Sequence, residues 1–335
     1  MVANYQLLRK QSISQQDGLV TSIERKTIPR DFFPADFSVG YRGTFDSNNA
    51  QFRLRVLNII KHWDWPVRFE FGRTGHVTIC MSNAHHTPIK AKPYIYDLAS
   101  WNGEEMNNEV GGITDGAYCI SASTQENIDI FREEGKNRPA NRRIFCIEDM
   151  YENQEHPPNM GSDGVMWYGH HVHQHSFYKH YRRGMKVMSK NPTRKMIDIM
   201  GDDFRRNYRW FNLVAEEKLF RESSVVVITA SEKHRVSNNR VVKAIMAGKF
   251  VVTPNVEMKS WQKFKDYIWM GDVDDGIKWA LENKPAALFM IKRGQDYIRP
   301  IYSPRVIAKQ WKEMIKWTWV SWKRQQIEKS WNKGR

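Results

Sequence analysis

The sequence predicts an α/β protein built from two consecutive domains with mostly parallel sheets. Three observations lead there. Short β-rich runs alternate with helical patterning along most of the chain, the signature of βαβ units. At 335 residues the chain is longer than one hydrophobic core usually organises. A cluster of breakers (Asn153, Pro157, Pro158, Asn159, Gly161, Gly164) divides the alternation in two.

Taken in order, residues 38–45 read as a strand, and Asp46-Ser47-Asn48-Asn49 as a loop with helix-capping chemistry. Phe52, Val56, Leu57, Ile59 and Ile60 then recur at helical spacing across 50–63. Strands follow at 67–71, 77–81, 93–98, 116–121 and 144–147, with a polar helix reaching about residue 134. The first domain is therefore expected over 1–155. Beyond the breakers, 165–168 reads as a strand and Ser224–Thr229 as a fully buried one. A helix at 238–246 and strands at 250–253 and 267–269 complete a second domain, expected over 164–303. Residues 304–335 read as a long basic helix rich in Trp.

Composition narrows the function. Hydrophobic residues at 41% and aromatics at 13% exclude a disordered chain. Lys and Arg number 52 against 37 Asp and Glu, a formal net charge of +15. Such an excess attracts polyanions. Two stretches concentrate it. Residues 179–195 hold Lys179, Arg182, Arg183, Lys186, Lys190, Arg194 and Lys195 without an acid, and residues 299–335 carry only Glu313 and Glu328 as acids. DNA is the partner expected at these clusters. Three scattered cysteines form no disulfide framework, which with a polar N-terminus and no long apolar run points to a cytoplasmic protein.

The stretch 233–252 carries the chemistry. It reads as a loop, a capped helix, a Gly stop at Gly248 and a buried strand. Ser237 or Asn238 is expected to cap the helix, whose free N–H groups and positive dipole end then point outward. Lys233, Arg235 and Arg240 stand around that end. A helix N-terminus ringed by cations is a phosphate site, and in an open α/β sheet it lies where ligands bind.

This stretch resembles the donor-binding helix of GT-B glycosyltransferases, whose pattern (sNNRvveAi, Gly, fVV) binds a nucleotide diphosphate. Trp167-Tyr168-Gly169-His170 resembles the turn that opens the donor domain in bacterial and phage members. Ile147-Glu148-Asp149-Met150-Tyr151-Glu152 resembles the element before their interdomain linker, and Gln295-Asp296-Tyr297-Ile298 with Tyr302-Ser303-Pro304 resembles their closing run. The resemblance implies two Rossmann-like domains with a C-terminal helix crossing back, and a nucleotide-sugar donor, a UDP-sugar by default, with no obligatory metal. It implies a donor site of Gly169, His170, Arg209, Trp210, Lys233, Arg235, Ser237, Asn238, Asn239 and Arg240, with Trp210 stacking on the base. One departure stands out. Where retaining members carry two Glu eight residues apart, this chain has Arg235 and Lys243, replacements that suit a diphosphate better than a hydroxyl pair.

Sugar transfer asks for a base near the acceptor hydroxyl. Asp46, His85 and Asp97, at strand ends of the first domain, are the candidates. The run His170-His171-Val172-His173-Gln174-His175 invites a zinc reading, but no Cys or carboxylate neighbour completes a metal set. Related phage enzymes place sugars on hydroxymethylated pyrimidines, so DNA is the expected acceptor. A surface glycan at the membrane face, or a non-catalytic nucleic-acid module, are the competing readings.

Overall fold

The computed structural model describes residues 32–43, 45, 52–81, 92–98, 116–134, 143–152, 155–169, 174–189, 194–230 and 238–333. The chain divides into two compact units, Met1–Phe37 and Ser38–Arg335. In the first, Phe37 N–H donates to the Pro34 carbonyl at 3.0 Å, and the Phe33 and Phe37 rings meet edge-on.

The second unit holds two six-stranded parallel sheets. The first comprises β1 (Ser38–Arg42), β2 (Arg68–Phe71), β3 (Val77–Met81), β4 (Tyr94–Leu98), β5 (Cys119–Ala122) and β6 (Arg143–Cys146), in the order β2-β1-β3-β4-β5-β6. Strands β3, β4 and β5 are buried along their whole length, as strands covered on both faces must be. The helical spacing at 50–63 becomes a π-helical turn, Arg53–Leu57, running into α1 (Asn58–Lys61). Helix α2 (Gln125–Glu134) joins β5 to β6.

The second sheet comprises β7 (Val165–Gly169), β8 (Lys186–Ser189), β9 (Tyr208–Trp210), β10 (Val225–Val227), β11 (Phe250–Thr253) and β12 (Trp269–Met270). Its order is β12-β11-β10-β7-β8-β9. The chain adds strands outward on one side of β7, then returns to add β10 to β12 on the other. The order therefore reverses between β7 and β10, the topological switch point at which doubly wound sheets open a crevice. Around this sheet lie α3 (Gln174–Tyr178), α4 (Arg194–Asn207), α5 (Leu213–Glu222), α6 (Asn239–Met246), a 3₁₀ turn (Lys259–Phe264), α7 (Val273–Glu282) and α8 (Lys284–Tyr302). The core is dense beneath the switch point, where Trp167 stacks on Phe177 with ring centroids 4.5 Å apart.

The sequence expectation changes in one place. Strand β8 lies inside the basic run read as a polyanion patch, and two of its cations face acids. Lys186 pairs with Glu222, and Arg182 pairs with Asp274. The terminal tryptophans pack the terminal helix against the fold. Helix α9 (Pro304–Lys333) follows the second sheet in the chain but packs on the first. Trp311 and Trp319 are buried, Trp317 meets Phe145 at 5.3 Å, Trp319 meets His76 at 5.5 Å, and Trp322 stacks on Trp319. Deep in the same contact, Cys119 Sγ and Thr318 Oγ1 lie 3.2 Å apart. These rings pack the helix against the fold and are not a stacking surface for bases. Among the described residues, no helix is long and apolar enough to cross a membrane.

Candidate functional site

The switch point holds a buried cation. Arg240, in the first turn of α6, is 8% exposed. Its Nη2 donates to the Thr229 carbonyl at 2.9 Å, just past β10, and its Nη1 to the Tyr168 carbonyl at 3.3 Å, near the end of β7. One guanidinium thus spans the two strands between which the order reverses. The Tyr168 hydroxyl donates back to the Arg240 carbonyl at 2.6 Å. Among the described residues no carboxylate pairs with Arg240. Burial pushes its pKa down to about 10, with Tyr168 pulling weakly the other way. The group still carries its charge at neutral pH. A buried charge without a counter-ion is costly, and an anion arriving at the carboxyl edge removes that cost.

Gly169 lets the Trp167 ring and the guanidinium approach the backbone closely. A Cβ there would lie 2.8 Å from the Trp167 ring and 3.0 Å from Arg240 Nη1. Any side chain would clash with the Trp167 ring and crowd the guanidinium.

A row of three residues extends the site along the carboxyl edge. Gly169 is the register partner of Ser189, and Ser189 that of Trp210. Two strand spacings of about 4.8 Å place Trp210 roughly 10 Å from Gly169. The Trp210 ring is 60% exposed, and Phe211 beside it lies under the Arg53 guanidinium at 5.5 Å. Arg209 is exposed and donates to the carbonyls of Arg206 and Tyr208.

Asn238 stands at the head of α6 but does not cap it with its side chain. Instead Nδ2 donates to Glu148 Oε2 at 3.3 Å, so of the two caps expected from sequence Asn238 is not one. Asn239 opens the helix.

Lys243 differs from its expected role as well. Its Nζ reaches Glu152 at 3.1 Å and Glu216 at 2.5 Å, and Glu152 also accepts from Arg53 at 2.6 Å. Burial alone would raise the Glu152 carboxyl, yet Lys243 and Arg53 hold it below the usual range. Glu216 is pushed up by burial against the opposing pull of Lys243. Lys243 is therefore neutralised inside the fold and is not a diphosphate ligand. The network ties the helical segment after β1, the linker after β6, α5 and α6 into one unit.

Asp97 does not meet the requirements of a base. It is fully buried at the end of β4, where Arg55 grips both carboxylate oxygens at 2.8 and 3.2 Å and Ser121 Oγ donates at 2.7 Å. Arg55 also faces Asp149 at 3.4 Å and lies 5.1 Å from the Trp311 ring. A carboxylate so enclosed cannot reach an acceptor hydroxyl, so Asp97 anchors the first sheet. Asp46, His85, His170, Lys233, Arg235 and Ser237 lie outside the described residues. Among the described residues, no group of His, Cys, Asp or Glu is placed to hold a metal.

Thr229 was visible only as the end of an apolar run. Glu216 had no sequence signal, because its role arises from tertiary contact with α6.

No family model and no curated protein sequence matches the chain. By structure it is similar to Anabaena Alr3699/HepE in complex with UDP-glucose, with a TM-score of 0.60 and 11% identity over 84% of this chain and 99% of that one. The UDP complex of the same protein gives a TM-score of 0.60 at 10% identity, over 84% and 99%. AviGT4, a glycosyltransferase involved in avilamycin A biosynthesis, gives 0.53 at 10% identity, over 85% and 98%. The fold is GT-B. The likeness spans nearly the full length of both neighbours and includes both sheets, as the sequence resemblance implied.

Proposed function

We propose that this GT-B chain is a glycosyltransferase that takes a nucleotide-sugar donor, a UDP-sugar, and moves its sugar to a hydroxyl acceptor. The observation that carries the reading is the buried, uncompensated Arg240 guanidinium at the switch point of the second sheet. One structural neighbour, HepE, is known in complexes with UDP-glucose and with UDP, which supports the same donor class here.

In this reading the diphosphate lies against Arg240 and the first turn of α6, over the side-chain-free Gly169. Negative charge grows on the leaving diphosphate as the glycosidic bond breaks. A cation already fixed by two backbone carbonyls stabilises that charge without reorganising. The base stacks on Trp210, about 10 Å along the carboxyl edge. Lys233, Arg235, Ser237, Asn239 and His170 are proposed to complete the diphosphate pocket. Asp46 or His85 is the proposed base toward the acceptor. Residues 1–155 are proposed as the acceptor domain and 164–303 as the donor domain.

The acceptor is proposed to be a hydroxymethylated pyrimidine in DNA. The net charge of +15 supports a polyanion. So do Lys179, Arg183, Arg305, Lys309, Arg324 and Lys329, which are exposed and make no ion pair among the described residues. Such cations track phosphates and give salt-sensitive binding.

Nucleoside mass spectrometry tests both levels. Hydroxymethylated DNA is incubated with the chain and a panel of UDP-sugars. A mass gain of one sugar on the modified pyrimidine is expected, with activity falling as salt rises. Donor turnover onto other acceptors but never DNA removes the DNA reading and leaves the transferase. No binding of UDP or any UDP-sugar removes the transferase itself.

A further inference from the structure

We propose that the Asn238 side-chain carbonyl reads a hydroxyl of the sugar being transferred. The inference rests on the nucleotide-sugar reading above and adds a recognition contact to it.

Asn238 is fully buried, and its Oδ1 has no hydrogen-bond partner among the described residues. Its orientation is fixed by its other end. Nδ2 donates to Glu148 Oε2, while Glu148 Oε1 is held by Lys263 Nζ at 2.5 Å. Rotating the amide would set a carbonyl against a carboxylate, two acceptors without a proton between them. The unmet group is therefore an acceptor. A buried acceptor left unpaired is a cost that a ligand donor removes.

The chemistry of that donor follows. Asn238 stands two residues before Arg240, beside the place where the diphosphate is cradled. A diphosphate at neutral pH offers only acceptor oxygens, so it cannot satisfy Oδ1. A hydroxyl can. The donor carries hydroxyls on both sides of its diphosphate, on the ribose and on the sugar, and the strand order separates the two. From Arg240, which spans β7 and β10, the nucleoside side runs through β8 to Trp210 on β9. Asn238 is held instead from the opposite flank. Its partner Glu148 is pinned by Lys263 in the 3₁₀ turn after β11. A ligand that begins at Trp210 and crosses Arg240 reaches Asn238 with the group beyond its diphosphate. That group is the sugar.

The experiment compares calorimetric binding of UDP with that of UDP-glucose, UDP-galactose, UDP-N-acetylglucosamine and UDP-arabinose, for wild type and Asn238→Ala. The tightest UDP-sugar is then replaced by its monodeoxy analogues. In wild type, removing one particular sugar hydroxyl is expected to weaken binding roughly tenfold. Asn238→Ala is expected to lose a similar factor for the intact UDP-sugar and to ignore loss of that same hydroxyl, while UDP itself changes less than about twofold. That non-additivity is the signature of direct contact. Equal weakening of UDP and UDP-sugar in the variant overturns the proposal by making Asn238 a support of the helix. Sensitivity to 2′-deoxy-UDP in place of the sugar analogues overturns it in favour of the ribose. A wild-type protein that binds UDP but no UDP-sugar more tightly also overturns it, with the nucleotide site intact. Binding of none of these ligands by wild type is the distinct failure of the parent reading.

Discussion

Arg240 and Tyr168 hold each other twice: the guanidinium donates to the Tyr168 carbonyl, and the Tyr168 hydroxyl donates to the Arg240 carbonyl. The reciprocal pair fixes the cation to the end of β7 without neutralising it. Its charge is left to an incoming anion.

Arg240→Met removes the charge and keeps much of the volume. The charge that would meet the diphosphate is lost, so UDP affinity is expected to fall at least about tenfold in titration calorimetry. The melting temperature is not expected to fall, because an unpaired buried cation disappears. Full turnover in this variant would contradict the assigned donor site.

Gly169→Ala tests the same geometry from the opposite strand. Its methyl collides with the Trp167 ring and crowds the guanidinium, so the Arg240 position is disturbed. A loss of donor affinity approaching that of Arg240→Met is expected. Wild-type binding would mean that the guanidinium position is unimportant.

Trp210→Ala probes the base. The ring is 60% exposed, so removal costs the fold little. Lost stacking is worth about 1–3 kcal/mol per base. UDP binding is expected to weaken accordingly, while inorganic pyrophosphate binding and the thermal midpoint stay unchanged.

Lys243→Met strands the buried Glu216 carboxylate and leaves Glu152 to Arg53 alone. Breaking a buried ionic network by removing one partner costs about 3–5 kcal/mol. Urea unfolding should show a loss in that range. Adding Glu216→Gln to the same chain should recover part of it, since the stranded charge is then gone.

Lys249 gives a pH signature. It is buried ahead of β11, and burial pushes its ammonium below the ordinary lysine value, with Glu217 opposing. Between the lowered folded pKa and the unfolded value of 10.5, the unfolded chain binds the extra proton. Stability contributed by this group therefore rises with pH across that window, and below it the buried charge is a constant cost. Lys249→Met is expected to melt higher than wild type at pH 7, with the gap narrowing as pH approaches 10.5. A constant gap across that range would exclude this source.

Much of the fold was legible because parallel strands buried on both faces write continuous apolar runs. β3 and β11 fall on the residues expected, 77–81 and 250–253. β8 and β9 were hidden, since Lys186, Tyr208 and Arg209 interrupt any such run near the edge of the sheet. Arg240 was legible from its place beside a helix start. Lys243 was not, because its partners come from the linker and α5, 91 and 27 residues away. Asp97 misled for the same reason: Arg55, which buries it, stands 42 residues earlier.

The position of α9 bears on synthesis. The first sheet leaves the ribosome early, yet the helix that covers Cys119 and Arg55 is made later, 199 residues after Cys119 in the case of Thr318. The amino-terminal half therefore waits, with apolar surface uncovered, while everything between is translated. Its consolidation waits for that helix, and the interval is when a chaperone has most to protect.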